Sequence, residues 1–170
     1  LGQMAGAEPI GLIPKRRTAM QIAAPDGVEV GGWPIVVDVQ EEFYVKPVAG
    51  QLLLSPANED HDVPSDVQPD ELDIAICVDR VERAFDFRVG RIETRWAGLR
   101  SFVADKCPVA GYSAEVPGFF WLAGQGGYGI QTSPALGELA AALVLGKPLP
   151  QAMVDEGVDL ATLAPERLSA

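Results

Sequence analysis

The stretch Gly118-Phe119-Phe120-Trp121-Leu122-Ala123-Gly124-Gln125-Gly126-Gly127-Tyr128-Gly129-Ile130-Gln131-Thr132-Ser133-Pro134 decides the fold, and an apolar run over residues 135–145 follows it. The order predicts a strand, a glycine-rich turn and a helix. Glycine lets a backbone adopt positive φ and approach a ligand closely. The start of a helix presents free N–H groups and a partial positive charge. The stretch therefore predicts a junction that receives an anion.

Two common phosphate sites do not fit this junction. It lacks the Gly-x-Gly-x-x-Gly spacing of a first Rossmann turn, and it lacks the lysine of a nucleotide-binding P-loop. A net charge of −11 over 170 residues argues against binding to nucleic acid or to an anionic membrane surface. No apolar run approaches the roughly 20 residues that a membrane span needs.

The two cysteines and the single histidine do not predict a catalytic or metal site. Cys77 and Cys107 are far apart in sequence, which predicts two buried thiols rather than a disulfide framework or a metal site. His61 lies in a polar stretch, which predicts a solvated loop residue. Since it is the only histidine, catalysis of the Ser-His-Asp or Cys-His type would depend on it, and its context does not support that role.

The order of elements predicts an α+β fold with a mostly antiparallel sheet. The N-terminal residues 1–13 read as a loop. The predicted strands cover residues 16–23, 33–39, 42–46, 51–54, 91–99, a short stretch around Val109, and 119–123. A helix over residues 70–84 is predicted to bury Leu72, Ile76, Val78 and Val81. The last strand and the helix after the glycine turn are expected to belong to a separate, nucleotide-binding layer.

Four segments, in order, resemble the FAD-dependent D-amino-acid oxidase and dehydrogenase superfamily. They are Pro14-Lys15-Arg16-Arg17-Thr18, then Phe43-Tyr44-Val45-Lys46-Pro47 with Leu53-Leu54-Ser55-Pro56-Ala57-Asn58, then Trp96-Ala97-Gly98-Leu99-Arg100-Ser101-Phe102-Val103-Ala104-Asp105, and finally the glycine turn. The last two segments are most similar to the bacterial D-arginine dehydrogenases of that superfamily. Together the four segments span nearly the whole sequence.

The resemblance implies an enzyme that binds FAD and oxidises a small D-amino acid to the imino acid, by hydride transfer from Cα to flavin N5. It divides the chain into residues 1–100, a segment of the substrate-binding domain, and residues 101–170, the closing strand and helix of a Rossmann-type FAD domain. It also implies a cytoplasmic protein or one peripheral to the inner membrane.

The superfamily's N-terminal pyrophosphate-binding turn has no counterpart in these 170 residues. The resemblance therefore implies that an N-terminal half of the same enzyme is the partner of this chain. Residues 1–170 alone are expected neither to retain FAD nor to oxidise amino acids.

The resemblance also assigns residues to the substrate. Arg100, just after a predicted strand end, would bind the substrate carboxylate, since a planar guanidinium can do so bidentately. Tyr44 would donate to the same group, although a core tyrosine is an equally good interpretation of its spacing. Arg17 would face the site instead of Arg16, and a solvated basic strand start is the alternative. Gly98, Gly127 and Gln131 would border the substrate. No catalytic acid, base or metal ligand is predicted.

The flavin ring is assigned to the turn itself. The residues implied to hold it are Gly126, Gly127, Tyr128, Gly129, Ile130, Gln131 and Thr132. Two other functions stay open at this point. One is a glycine or sarcosine oxidase, which would share the turn and the arginine. The other is a non-enzymatic, acidic α+β interaction module.

Overall fold

A computed structural model describes residues 1–168. These residues form two compact units, which are described one at a time. The sheet unit comprises Pro14–Leu99. The turn unit comprises Leu1–Ile13 together with the described chain from Arg100 onward. The predicted division at residue 100 assigned the two parts to a substrate domain and an FAD domain, and that assignment stays a prediction.

A helix separates two groups of strands, the first of five strands and the second of three. In chain order they are α1 Gly2–Ala5, β1 Ile13–Ala23, β2 Val36–Val37, β3 Tyr44–Val48, β4 Gln51–Ser55, β5 Asp60–His61, α2 Glu71–Ala84, β6 Ile92–Phe102, β7 Val109–Tyr112, β8 Phe120–Ala123, α3 Gly129–Val144, α4 Gln151–Asp155, and 3-10 turns at Leu160–Thr162 and Pro165–Leu168.

The sheet unit is built on one sheet with the strand order β2-β3-β4-β1-β5, and β6 also pairs with β1. The pairs β1–β4, β1–β5, β2–β3 and β3–β4 are antiparallel. The stretch Pro47-Val48-Ala49-Gly50, between the predicted strands 42–46 and 51–54, predicts a hairpin. This prediction is confirmed: β3 and β4 are joined by Ala49 and Gly50, with φ of 49° and 79°. Two successive positive φ values match the twist of the flanking strands. The predicted mixture of helices and an antiparallel sheet is therefore confirmed.

Helix α2 covers one face of this sheet. Asp70 caps it by accepting a hydrogen bond from Leu72 N–H. Its buried residues are Ile74, Cys77 and Val81, which are spaced by three and four residues and share one face. The predicted stripe was thus wrong at Leu72 and Ile76, which are 65% and 37% exposed.

The second strand was predicted over residues 33–39, but only Val36–Val37 form a strand. Proline at position 34 has no N–H to donate to a ladder. At the other end, Asp38 accepts hydrogen bonds from Gln40 N–H and Glu42 N–H and so forms a turn. Trp33 instead stacks on Phe85, with ring centroids 6.2 Å apart.

The turn unit contains the antiparallel pair β7–β8, with α3 following the glycine turn. Helix α3 begins at Gly129, earlier than the predicted residue 135, so Pro134 lies inside it. Proline cannot bond the carbonyl of Ile130, and the Ser133 hydroxyl donates to that oxygen at 2.9 Å. The helix ends where predicted, before Gly146 with φ of 61°.

The structure differs from three smaller predictions. Strand β6 extends to Phe102, which is buried, so Arg100 lies within the strand instead of after it. Cys107 is exposed, and only Cys77 is a buried thiol. His61 is exposed as predicted, although it pairs with Lys15 on a short strand.

Candidate functional site

The glycine turn is fastened to the end of strand β6. The backbone N–H of Gly126 donates to the Ser101 carbonyl oxygen at 2.9 Å. Gly126 has φ of 53°, and a Cβ at this position would lie 2.6 Å from Cε1 of Phe102. Only glycine meets both conditions without strain. The turn is therefore packed directly on the strand that carries Arg100.

The first turn of α3 presents backbone donors. The first bond of the helix runs from Thr132 N–H to the Tyr128 carbonyl oxygen at 2.9 Å. The N–H groups of Gly129, Ile130 and Gln131 have no acceptor among residues 1–168. No acidic residue lies in this turn of the helix. The junction thus offers donors and a partial positive charge to a ligand.

Arg100 is the exceptional arginine of the chain. Its side chain has no hydrogen bond or ion pair among the described residues. The other eight arginines each lie within 4.0 Å of a carboxylate: Arg16, Arg17, Arg80, Arg83, Arg88, Arg91, Arg95 and Arg167. This half-buried guanidinium can therefore donate bidentate hydrogen bonds to a ligand without first breaking an ion pair within the described chain. In a chain of net charge −11, this group is available for an anion.

The guanidinium of Arg100 lies against the glycine turn. A Cβ on Gly127 would stand 2.9 Å from Nη1 of Arg100. The structure therefore brings together, within the turn unit, the predicted carboxylate-binding arginine and the predicted flavin-binding residues 126–132. Gly98 lies two residues before Arg100 on the same strand, and a Cβ there would meet no heavy atom within 4 Å.

The surface of the turn is open and partly apolar. Ile130 is 94% exposed and Tyr128 is 40% exposed. Gln131 is also exposed, while the Thr132 hydroxyl donates to the Tyr128 carbonyl oxygen at 2.9 Å. A planar, partly apolar ligand with anionic atoms would match this combination of open apolar surface and unpaired donors.

Arg17 and Tyr44 lie in the sheet unit, on the same face of its sheet. Val45, Leu54 and Met20 are neighbours across β3, β4 and β1, and all three are buried in the core. Since side chains alternate along a strand, Tyr44 and Arg17 both point to the opposite face. Tyr44 is half-buried, and its hydroxyl has no hydrogen-bond partner among residues 1–168.

Arg16 points the other way, toward helix α2. Its Nε donates to Oδ2 of Asp73 at 3.2 Å, and its Nη1 donates to Asp62 at 2.9 Å. The Thr18 hydroxyl donates to the same oxygen of Asp73 at 3.0 Å. The two arginines thus occupy opposite faces, as strand geometry requires, and Arg16 is taken up by structural ion pairs.

Sequence reasoning missed the residues that hold the predicted ones in place. Ser101 and Phe102 support the turn, and Asn58 binds Arg17 through its carbonyl oxygen at 2.7 Å. Asn58 lies in one of the four segments that resemble the superfamily, but no sequence pattern indicates that it lies close to Arg17. Only strand pairing brings residues 17 and 58 together.

The chain offers no metal centre in the part that the structure describes, since no three His, Cys, Asp or Glu side chains group suitably for an ion. Over the same residues, 1–168, no helix is both long and apolar enough to cross a membrane.

Comparison with known proteins identifies a family and several similar folds. The family described as FAD dependent oxidoreductase (DAO) matches residues 1–143. Among solved structures, L-proline dehydrogenase from P. horikoshii is 22% identical with a TM-score of 0.79, over 99% of this chain and 44% of its own. Glycine oxidase from Geobacillus kaustophilus is also 22% identical with a TM-score of 0.76, over 96% of this chain and 41% of its own.

L-amino acid deaminase from Proteus vulgaris is 20% identical with a TM-score of 0.69, over 94% of this chain and 38% of its own. The chain thus spans about two fifths of the length of these structures. Identities at this level establish the shared fold. Because the family match covers most of the sequence, the chain belongs to the DAO family of FAD-dependent oxidoreductases.

Proposed function

We propose that this chain forms part of an enzyme that oxidises D-amino acids to imino acids. The observation that carries the proposal is the unpaired guanidinium of Arg100 lying against the glycine turn. An amino-acid substrate presents a carboxylate, and a guanidinium binds a carboxylate through two parallel hydrogen bonds. Bound FAD would supply the acceptor for the hydride that leaves the substrate Cα.

The residues of the turn fit the flavin. Three N–H groups at the start of α3 lack acceptors within residues 1–168 and are available to the ring. Gly126 and Gly127 let the turn pack on Phe102 and Arg100, because a Cβ at either position would stand less than 3 Å from one of these side chains. We propose that residues 126–132 hold the N1–C2=O edge of the ring. Donors and a helix N-terminus at this edge favour negative charge there, and hence the reduced cofactor.

The proposed roles of the other residues are positional. Arg100 binds the carboxylate and so fixes where the Cα hydrogen lies. Tyr44 is proposed as a second donor to the carboxylate, supported by its unpaired hydroxyl. Arg17, Gly98 and Gln131 are proposed to border the substrate. None of these groups is a general base. The proposed reaction therefore requires that the substrate amine is already neutral when the hydride leaves.

The preference for D-amino acids rests on the similarity of residues 96–105 to the D-arginine dehydrogenases. A glycine or sarcosine oxidase would use the same turn and arginine, and the experiment below separates the two. A cytoplasmic enzyme, or one peripheral to the inner membrane, is proposed on the same resemblance.

We further propose that a segment outside these 170 residues completes the FAD site. The chain covers about two fifths of its structural relatives. The turn unit also has an open groove of about 790 Å³, lined mainly by apolar residues from 1–12 and 119–123. An N-terminal segment carrying the pyrophosphate-binding turn would cover such a surface.

The test is to purify the full-length protein, record its flavin absorbance, and measure turnover with an artificial electron acceptor. D-arginine, D-methionine, their L-enantiomers, glycine and sarcosine are compared. The proposal expects the highest kcat/KM with D-amino acids. Arg100→Ala should weaken transition-state binding by about 2–5 kcal/mol, which lowers kcat/KM roughly 30-fold to several thousandfold. Preference for glycine or sarcosine would favour the second candidate. Bound flavin with no amine oxidation would contradict both.

A further inference from the structure

The position of Arg100 depends on the residue opposite it. Nη1 of Arg100 is 2.9 Å from the place where a Cβ of residue 127 would stand, which is closer than real Cβ contacts come. The guanidinium therefore occupies space that exists only because residue 127 is glycine.

The turn cannot readily retreat to make room. Gly126 is bonded to the Ser101 carbonyl oxygen at 2.9 Å, and the ring of Phe102 lies directly beneath Gly126. Phe102 is 2% exposed and belongs to the interior of the turn unit. Because the turn is fixed and the arginine side chain is flexible, a side chain at position 127 would displace the guanidinium.

No polar partner in the described chain fixes that guanidinium. Arg100 makes no hydrogen bond or ion pair with residues 1–168, whereas each of the other eight arginines has a carboxylate partner. No hydrogen bond or ion pair within residues 1–168 would therefore hold the guanidinium in place against a side chain at position 127.

We infer that Gly127 is a positioning residue, which sets the location of the Arg100 guanidinium relative to the flavin-binding turn. The inference rests on the proposed function, in which Arg100 binds the substrate carboxylate. Glycine at this position is not required by the backbone, since φ of Gly127 lies outside the left-handed region, in contrast to Gly126. Alanine at 127 should therefore fold normally and act through Arg100.

The test is a double-mutant cycle on the FAD-loaded, full-length enzyme, with the variants Gly127→Ala, Arg100→Ala and both together. The readouts are kcat and KM, the thermal midpoint, and the calorimetric dissociation constant of benzoate. Benzoate carries a carboxylate but no amine, so its binding reports on the arginine independently of turnover. Gly137→Ala is the matched control, because a Cβ there meets no heavy atom within 4 Å.

Gly127→Ala is expected to raise KM and the benzoate dissociation constant roughly 10- to 100-fold, as for a displacement of about 1 Å, while the thermal midpoint stays unchanged. Adding it to Arg100→Ala should change either constant by less than about twofold, because the affected group is already gone.

Three results would overturn the inference. Unchanged benzoate affinity in Gly127→Ala, while Arg100→Ala weakens it, would reject the role of Gly127 and leave the proposed function intact. An equal loss in both backgrounds would show that the new methyl group meets the ligand directly. Arg100→Ala without effect on benzoate or KM would reject the role of Arg100, and the inference with it.

Discussion

Nε of Arg17 lies 2.7 Å from the backbone carbonyl oxygen of Asn58, and this bond ties the first strand of the sheet unit to the segment that follows β4. The side chain of Asn58 adds to the connection. Its Oδ1 accepts from Thr18 N–H at 2.9 Å, and its Nδ2 donates to Asp60 and Asp73 at 2.8 and 2.9 Å. One residue thus holds Arg17 in place and satisfies a buried backbone donor.

Asn58→Ala is expected to destabilise the protein. Thr18 is fully buried, and its N–H would lose its acceptor. A buried donor left without a partner costs about 1–3 kcal/mol. Urea unfolding followed by circular dichroism measures the change. Ser65→Ala, which removes only the hydrogen bond of an exposed hydroxyl, should lie within about 0.5 kcal/mol of the wild type. An equal stability of the two variants would contradict this account of Asn58.

Gly126→Ala is expected to be more damaging than Gly27→Ala. Both glycines have positive φ, 53° and 72°, so both substitutions carry the backbone strain of about 1–2 kcal/mol. Only at position 126 does the new Cβ also collide with Phe102, whereas at position 27 it meets no heavy atom within 4 Å. Overpacking adds about 1–3 kcal/mol. The difference between the thermal midpoints of the two variants measures the cost of the collision with Phe102. Equal midpoints would show that the turn moves to accommodate the new methyl group without cost.

Glu8 should contribute stability that depends on pH. It is buried and accepts hydrogen bonds from the Ser113 hydroxyl and from Nε1 of Trp121. The bond from Ser113 is the main reason why the pKa of Glu8 lies below its usual 4.5. Because the folded pKa is depressed, the contribution is present above about pH 4.5 and is lost as pH falls through the folded pKa.

Denaturant titrations between pH 7 and pH 3 test whether the stability contributed by Glu8 decreases as the pH falls. The stability advantage of the wild type over Glu8→Gln should shrink as pH falls below about 4.5. Glu138→Gln, at an exposed position of α3, serves as the control. A constant or growing advantage of the wild type at low pH would rule out the depressed pKa.

The two cysteines should differ in reactivity. Cys77 is fully buried against the sheet, and burial raises the pKa of its thiol to about 12. Cys107 is exposed. Since the thiolate is the reactive species, a disulfide reagent at pH 8 should modify Cys107 quickly in the folded protein and Cys77 only after unfolding. Absorbance of the released thiol measures the stoichiometry. Rapid modification of both thiols under native conditions would mean that α2 opens readily.

Tyr44→Phe should leave stability unchanged and lower kcat/KM in the full-length enzyme. The hydroxyl has no partner among residues 1–168, so its removal breaks no bond in the free protein. If it donates to the substrate carboxylate, its loss costs about 1.5–3 kcal/mol, as for a hydrogen bond to a charged group. Unfolding curves and steady-state kinetics separate the two effects. Unchanged kinetics would remove Tyr44 from the proposed site.

Local rules explain the elements that the sequence alone determined. Pro47-Val48-Ala49-Gly50 predicts the hairpin because glycine tolerates the positive φ of a two-residue turn. The predicted start of α2 at residue 70 has a local cause, since the carboxylate of Asp70 caps the helix by accepting from Leu72 N–H. The glycine-rich turn before α3 is encoded in the same way, and with it the donors at the start of that helix. Each of these features depends on residues that are close neighbours in the chain.

Tertiary structure alone decided which side chains are paired. The resemblance singles out Arg100 and Arg17 among nine arginines, but only folding shows that eight of the nine meet a carboxylate while Arg100 lies beside a glycine. The contact between Arg17 and Asn58 crosses 41 positions of the chain, and it exists because antiparallel pairing of β1 with β4 and β5 sets the register. Contacts of this kind depend on strand pairing and packing between distant segments, whose energies no local pattern encodes.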